Sequence, residues 1–176
     1  MSVMKTWPMW VAGTIALAAA FHILTVFAMP YSIMDRAMAG IVAQAGGVNK
    51  PVYPESATAA SRGIVRPSPD LLYTACAYDV SERPLKLTSP VPDTYWSLST
   101  FASNTDNFFV VNDRQVKAGR IEIILAASDD AATEKGIPVI VTPSSKGIVL
   151  FRSLVPSEDV RAEIDAQRRQ SDCKPL

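Results

Sequence analysis

Residues 63–115, GIVRPSPDLLYTACAYDVSERPLKLTSPVPDTYWSLSTFASNTDNFFVVNDRQ, decide the fold. Four short runs rich in apolar, β-branched and aromatic residues, at 71–79, 85–88, 94–102 and 107–112, are separated by clusters of Pro, Asp, Asn and Ser that favour turns. Within 94–102, Trp96, Leu98 and Thr100 alternate with Tyr95, Ser97, Ser99 and Phe101, the period of two of a strand with one face on a core. The first set is expected inside and the second at an edge or groove.

Outward from this stretch, 120–126, 137–141 and 147–153 read as further strands, and Ile121 to Ala127, apolar nearly throughout, suits a strand covered on both faces. Thirteen prolines against eight glycines fit many brief strands joined by stiff connections. The expected fold is mainly β, an antiparallel sandwich-like domain over residues 62–176 with a C-terminal helix. That helix begins after Pro156. Ser157 is a good N-cap residue, Glu158 and Asp159 suit the positive end of the helix dipole, Arg168 and Arg169 suit its negative end, and Val160 and Ile164 form an apolar stripe.

The same residues resemble the bacterial family catalogued as domain of unknown function 1254. The resemblance is carried by Ile64-Val65-Arg66-Pro67, Pro69-Asp70, Leu72-Tyr73, Tyr78-Asp79, Pro84, Tyr95-Trp96 and the Asn-rich turn from Asn104 to Asn107. GIVLFRSLVPSEDVRAEIDAQ, residues 147–167, is similar to the family's closing strand and helix, so the resemblance spans residues 62–167. Family members often carry Asn where Ser68 stands and Thr where Leu71 stands. Longer relatives have a second, jelly-roll-like domain, and the resemblance therefore implies that a separately encoded jelly-roll-like membrane protein is a partner here.

The N-terminus follows different rules. WVAGTIALAAAFHILTVFAM, Trp10 to Met29, holds no formally charged side chain. A helix from Trp10 to Tyr31 rises about 33 Å, close to the hydrocarbon thickness of about 30 Å. Trp7, Trp10 and Tyr31 flank it, where amphipathic rings prefer the headgroup boundary. The reading is a cytoplasmic tail at 1–9, a transmembrane helix at 10–31, and a juxtamembrane helix and linker at 32–61. A cleaved secretory signal is the alternative, but the apolar run outlasts the usual ~7–15 residues. With a short tail before the span, the domain is expected on the periplasmic side of a bacterial inner membrane. After Pro30, Ile33, Met34, Ala37, Met38, Ile41, Val42 and Ala45 recur at helical spacing until Gly46-Gly47, a face expected to dock on its own domain.

His22 is the only histidine and falls inside the span, where packing against a neighbouring polar group is favoured over a proton relay. Cys76 and Cys173 are the only cysteines; in an oxidising compartment they either bond to one another or remain one buried and one exposed thiol.

Elimination narrows the chemistry. Without a histidine beyond His22, the domain assembles no Ser-His-Asp or Cys-His nucleophile and no histidine-based metal site, and no glycine-rich nucleotide fingerprint is present. No metal and no cofactor are expected. After Tyr31, sixteen basic residues stand against seventeen acidic ones, which gives no basic excess for nucleic acid. Carboxylate chemistry would fall to Asp70 and Asp79, though both are more simply turn residues. A binding groove is the better expectation, from Arg66, Asp70, Tyr73, Tyr95 and Trp96 with Arg152 facing them. The sequence thus reads as a non-catalytic, membrane-anchored envelope module that binds another protein, with a ligand-binding module or carboxylate-dependent enzyme as the alternative.

Overall fold

A computed structural model describes residues 3–58, 60–61, 67–116, 119–128 and 136–176. It opens with one long helix, α1 (Val3–Ala45), which runs through Pro30 without a break. Pro30 has no N–H to offer the carbonyl one turn back, yet the flanking bonds carry the helix on. It stops where Gly46 adopts φ 70° and the Gly47 N–H bonds the Val42 carbonyl at 3.1 Å. This is the left-handed stop that glycine makes without steric cost.

Two sheets follow. The first has the order β1-β2-β8-β4-β5, with β1 (Pro51–Val52), β2 (Leu71–Asp79), β8 (Lys146–Leu154), β4 (Trp96–Ala102) and β5 (Asn107–Asn112), all antiparallel. The second has the order β7-β6-β3-β9, with β7 (Val139–Val141), β6 (Arg120–Ala126), β3 (Leu85–Pro90) and β9 (Asp172–Pro175). In it β7 pairs parallel to β6, so the sheet is mixed. The fold is mainly β, with the long apolar helix before it and a short helix, α2 (Arg161–Arg168), near its end. A single 3-10 turn at Glu158–Val160 precedes α2, and Ser157 makes no side-chain capping bond there.

The core lies between the sheets and follows the period of two. Cys76, Tyr78, Trp96, Leu98, Val149 and Phe151 come from the first sheet, and Leu85, Leu87, Ile121, Ile123, Leu125 and Cys173 from the second. Trp96 and Phe151 meet with ring centroids 6.3 Å apart. The glycine at 147 is dictated by this packing, because an added Cβ would collide with the Phe101 carbonyl and with the Tyr78 ring and hydroxyl. Burial pushes that hydroxyl up to about 12. In β6, Glu122 is exposed and pairs with Lys86 at 3.3 Å, while Ile124, Leu125 and Ala126 are fully buried, so only its second half is covered on both faces.

The stretch at 48–61 does more than link. The Asn49 side-chain amide donates to the Asp79 carbonyl and accepts the Asp79 N–H, both at 2.8 Å, and so starts the pairing that β1 continues along β2. Farther on, the Tyr53 hydroxyl donates to the Ser171 carbonyl at 2.7 Å. The C-terminal half of α1 docks on the domain: it touches β1, β2 and β8, buries Met34, and half-buries Ala37, Met38, Ile41, Val42 and Ala45. Ala75, Ala77 and Ile148 are buried although they point away from the second sheet, on the face this helix covers.

Cys76 of β2 and Cys173 of β9 are bonded, Cα atoms 6.8 Å apart, across the two sheets and 97 residues of sequence. Both are almost wholly buried. Replacing both by alanine is expected to lower stability by about 4–5 kcal/mol, the loop-closure entropy of ~100 residues. Urea unfolding of the two proteins in the same detergent measures it, and equal midpoints would mean that the bond does not constrain the unfolded chain.

Candidate functional site

The register of β2, β8 and β4 sets one polar patch on the outer face of the first sheet. Tyr73 is opposite Arg152, and Arg152 is opposite Ser97 on its other side. Arg152 Nη1 donates to Ser99 Oγ at 3.1 Å. The Tyr73 hydroxyl accepts the Ser68 N–H at 2.9 Å, which folds the loop before β2 back over this end of the sheet. Ser97 and Ser99 are each 2 % exposed, so they are enclosed rather than lining an edge. Ser97 Oγ has no hydrogen-bond partner, and among the described residues no carboxylate pairs with half-buried Arg152. A buried, unpartnered hydroxyl beside a guanidinium with no carboxylate partner among the described residues is an arrangement that suits an anionic or carbonyl oxygen.

The six residues expected to form a groove do not all meet. Tyr73 and Arg152 are neighbours, and Tyr95, 46 % exposed, lies just before β4, on the Ser97 side by strand alternation. Asp70 is exposed in the turn before β2; its N–H donates to Ser68 Oγ at 3.4 Å and its carbonyl accepts the Val155 N–H at 2.9 Å. Trp96 points the other way, 1 % exposed in the core, because it alternates with Tyr95 and Ser97. Arg66 lies outside the described residues. Alternation alone puts Ser97 and Ser99 at an edge or groove, because periodicity gives a side and not what covers it.

Asp70 and Asp79 stand at opposite ends of β2. Nine residues of strand separate them by roughly 30 Å, too far to share one reacting bond. Partial burial raises the Asp79 carboxyl, but the Ser81 hydroxyl and N–H and the Lys146 ammonium outweigh it and hold the group below its usual range. Asp79 therefore closes a turn. Among the described residues no three His, Cys, Asp or Glu side chains gather as metal ligands would.

Arg168 stands in the last turn of α2, as its sequence position suggests, but its burial and its contacts give it a structural role that the sequence does not show. Its side chain is 3 % exposed, and it pairs with Asp165, donates through Nη1 to the Tyr73 carbonyl and through Nη2 to the Pro54 carbonyl at 2.9 Å. It thereby joins α2, β2 and the chain after β1. Arg169 takes the other Asp165 oxygen at 2.7 Å and stands over the Tyr53 ring, 5.8 Å from its centroid. The two form a tie rather than a surface patch, and the tie fixes the strand that carries Tyr73.

Arg168→Leu should destabilise the fold by about 3–5 kcal/mol, because it leaves Asp165 and two carbonyls without their donor; a cost below ~1 kcal/mol in urea unfolding would remove the tie from the account. Burial raises the Asp165 carboxyl, but Arg169 and Arg168 outweigh it and hold the group below its usual range. A folded value below the unfolded one, about 3.9, means stability that is present above that pH and is lost as pH falls through the lowered value. Asp165→Asn should flatten this acid limb of the stability curve; an unchanged limb would show that other carboxylates set it.

A family model described as protein of unknown function (DUF1254) matches residues 48–175. Solved structures similar to this chain include the VPA0106 protein from Vibrio parahaemolyticus, with a TM-score of 0.60 at 18 % identity, over 84 % of this chain and 36 % of that one. An uncharacterized protein from Burkholderia cenocepacia gives a TM-score of 0.52 at 17 % identity, over 82 % of this chain and 39 % of that one. The chain thus spans well under half the length of either, and at these identities the likeness concerns the fold alone. No curated protein matches the sequence. With the family model covering the whole β domain, the chain belongs to the DUF1254 family.

Proposed function

We propose that the protein is a single-pass accessory module of the bacterial envelope, anchored in the inner membrane by α1, with its β domain on the periplasmic side and protein binding rather than catalysis as its work. The observation that carries this is the bare apolar surface of α1. From Trp7 the helix is long and apolar enough to cross a membrane, with a mean hydropathy of 2.0 and none of its most apolar window buried. Leu17, Phe21 and Phe27 are each more than 70 % exposed, a surface that water does not tolerate over such a length. The Cys76–Cys173 bond supports a compartment where disulfides persist.

Protein binding is favoured by what accompanies this fold elsewhere. The matched region is 36–39 % of the two solved relatives, so in them the same fold is part of a longer chain. A separately encoded, jelly-roll-like membrane protein is the companion proposed here. The full chain, solubilised in mild detergent and tagged at its C-terminus, should recover one such protein after light crosslinking. Recovery of the bare monomer, with no crosslinked species, would sink the reading.

A second reading, a small ligand on the outer face of the first sheet, is favoured by Arg152 and the unpartnered Ser97 hydroxyl. Arg152→Leu should then abolish a cellular phenotype while partner recovery and unfolding midpoint stay unchanged. A phenotype that survives removes this reading.

A further inference from the structure

The docking of α1 sets where a membrane meets the domain. Every residue of α1 from Trp7 to Leu24 is exposed, and the covered stripe begins at Thr25 and continues through Pro30, Met34, Ala37, Met38, Ile41, Val42 and Ala45. The turn between β4 and β5 lies beside this same stretch: Thr105 faces a cleft lined by His22, Thr25, Val26, Met29, Pro30 and Ile33. In the first sheet β5 is one edge and β1 the other. The helix passes the β4–β5 turn first, then β8 and β2, and ends next to β1, so its N-terminal part leaves the domain on the β5 side.

This conflicts with a span from Trp10 to Tyr31. A bilayer placed over that span would immerse the β4–β5 turn, whose Asn104 Nδ2 donates to the Asp106 carboxylate at 2.6 Å and whose Asp106 is exposed. A carboxylate facing lipid is strongly disfavoured. Trp7 to Leu24, exposed throughout and meeting the cleft beside Thr105 at His22, rises about 27 Å, near the hydrocarbon thickness. Lys5 then marks the inner boundary and Trp7 sits just inside it.

We propose that the hydrocarbon layer ends on α1 at about Leu24–Thr25, and that the β4–β5 turn, Ser103 to Asp106, rests in the lipid headgroup layer beside it. The lipid surface is thus a second partner of the domain, contacted at the open β5 side of the first sheet. The proposal rests on the anchor reading of α1 and specifies its depth. It also moves His22 from mid-membrane to within one turn of the boundary, where an imidazole meets headgroups and needs no relay partner.

The test uses the full chain in vesicles of phosphatidylethanolamine and phosphatidylglycerol. Both native cysteines are bonded and buried, so one introduced thiol takes one environment-sensitive fluorophore. Ile15→Cys, Phe27→Cys, Tyr31→Cys and Thr105→Cys are labelled in turn and quenched by nitroxides placed at the headgroup or deep in the acyl chain. Expected is a several-fold preference for the deep quencher at position 15, a several-fold preference for the headgroup quencher at 27 and 105, and little of either at 31. Deep quenching at 27 with headgroup quenching at 31 would overturn the proposal and leave the anchor in place. An unquenched label at 105 would overturn the headgroup contact. No deep quenching at 15 would overturn the anchor reading itself.

Discussion

The covalent link between Cys76 and Cys173 is the constraint on which the arrangement depends. It fastens an interior strand of one sheet to the edge strand of the other. A strand as short as β9 has little hold on a sheet by its own ladder. Once held, it places Ser171, whose hydroxyl meets that of Ser89 at 2.8 Å and whose carbonyl accepts the Tyr53 hydroxyl. The residues just upstream carry Arg168 into its buried position under β2. The disulfide, the serine pair and the arginine close one side of the sandwich together, and they draw in the chain after β1 through Tyr53 and Pro54.

Much of the β layer was legible because alternation is a local property. The runs at 71–79, 94–102 and 107–112 are strands with nearly the expected ends, and Trp96, Leu98 and Thr100 are inside. The strands that escaped notice are those whose existence depends on a distant partner. Pro51–Val52 is a strand because β2 and Asn49 make it one, and Asp172–Pro175 because of Cys173 and β3. Neither is long enough to show a period.

Site residues were harder for a related reason. Strand alternation sorts side chains by face and says nothing about what lies on that face. Grouping Tyr95 and Trp96 in one groove follows their closeness in the motif and runs against alternation, since adjacent strand residues cannot share a side. Alternation also puts Ser97 and Ser99 at an edge or groove, whereas the structure encloses them. Arg168 and Arg169 suited a helix C-terminus equally well whether solvated or buried. Only three-dimensional neighbours, the Tyr73 and Pro54 carbonyls, separate the two cases.

The absence of a break in α1 has a mechanical meaning. Most tethered domains hang from a flexible leash and sample a hemisphere of orientations. Here one helix is continuous from its apolar end to Ala45, and its last three turns are packed on the domain. Under the anchoring proposed above, a bilayer holding the helix would also fix the height and heading of the sheet, leaving rotation about the membrane normal and lateral drift. A companion anchored in the same bilayer would meet it as a two-dimensional search with the approach angle already chosen.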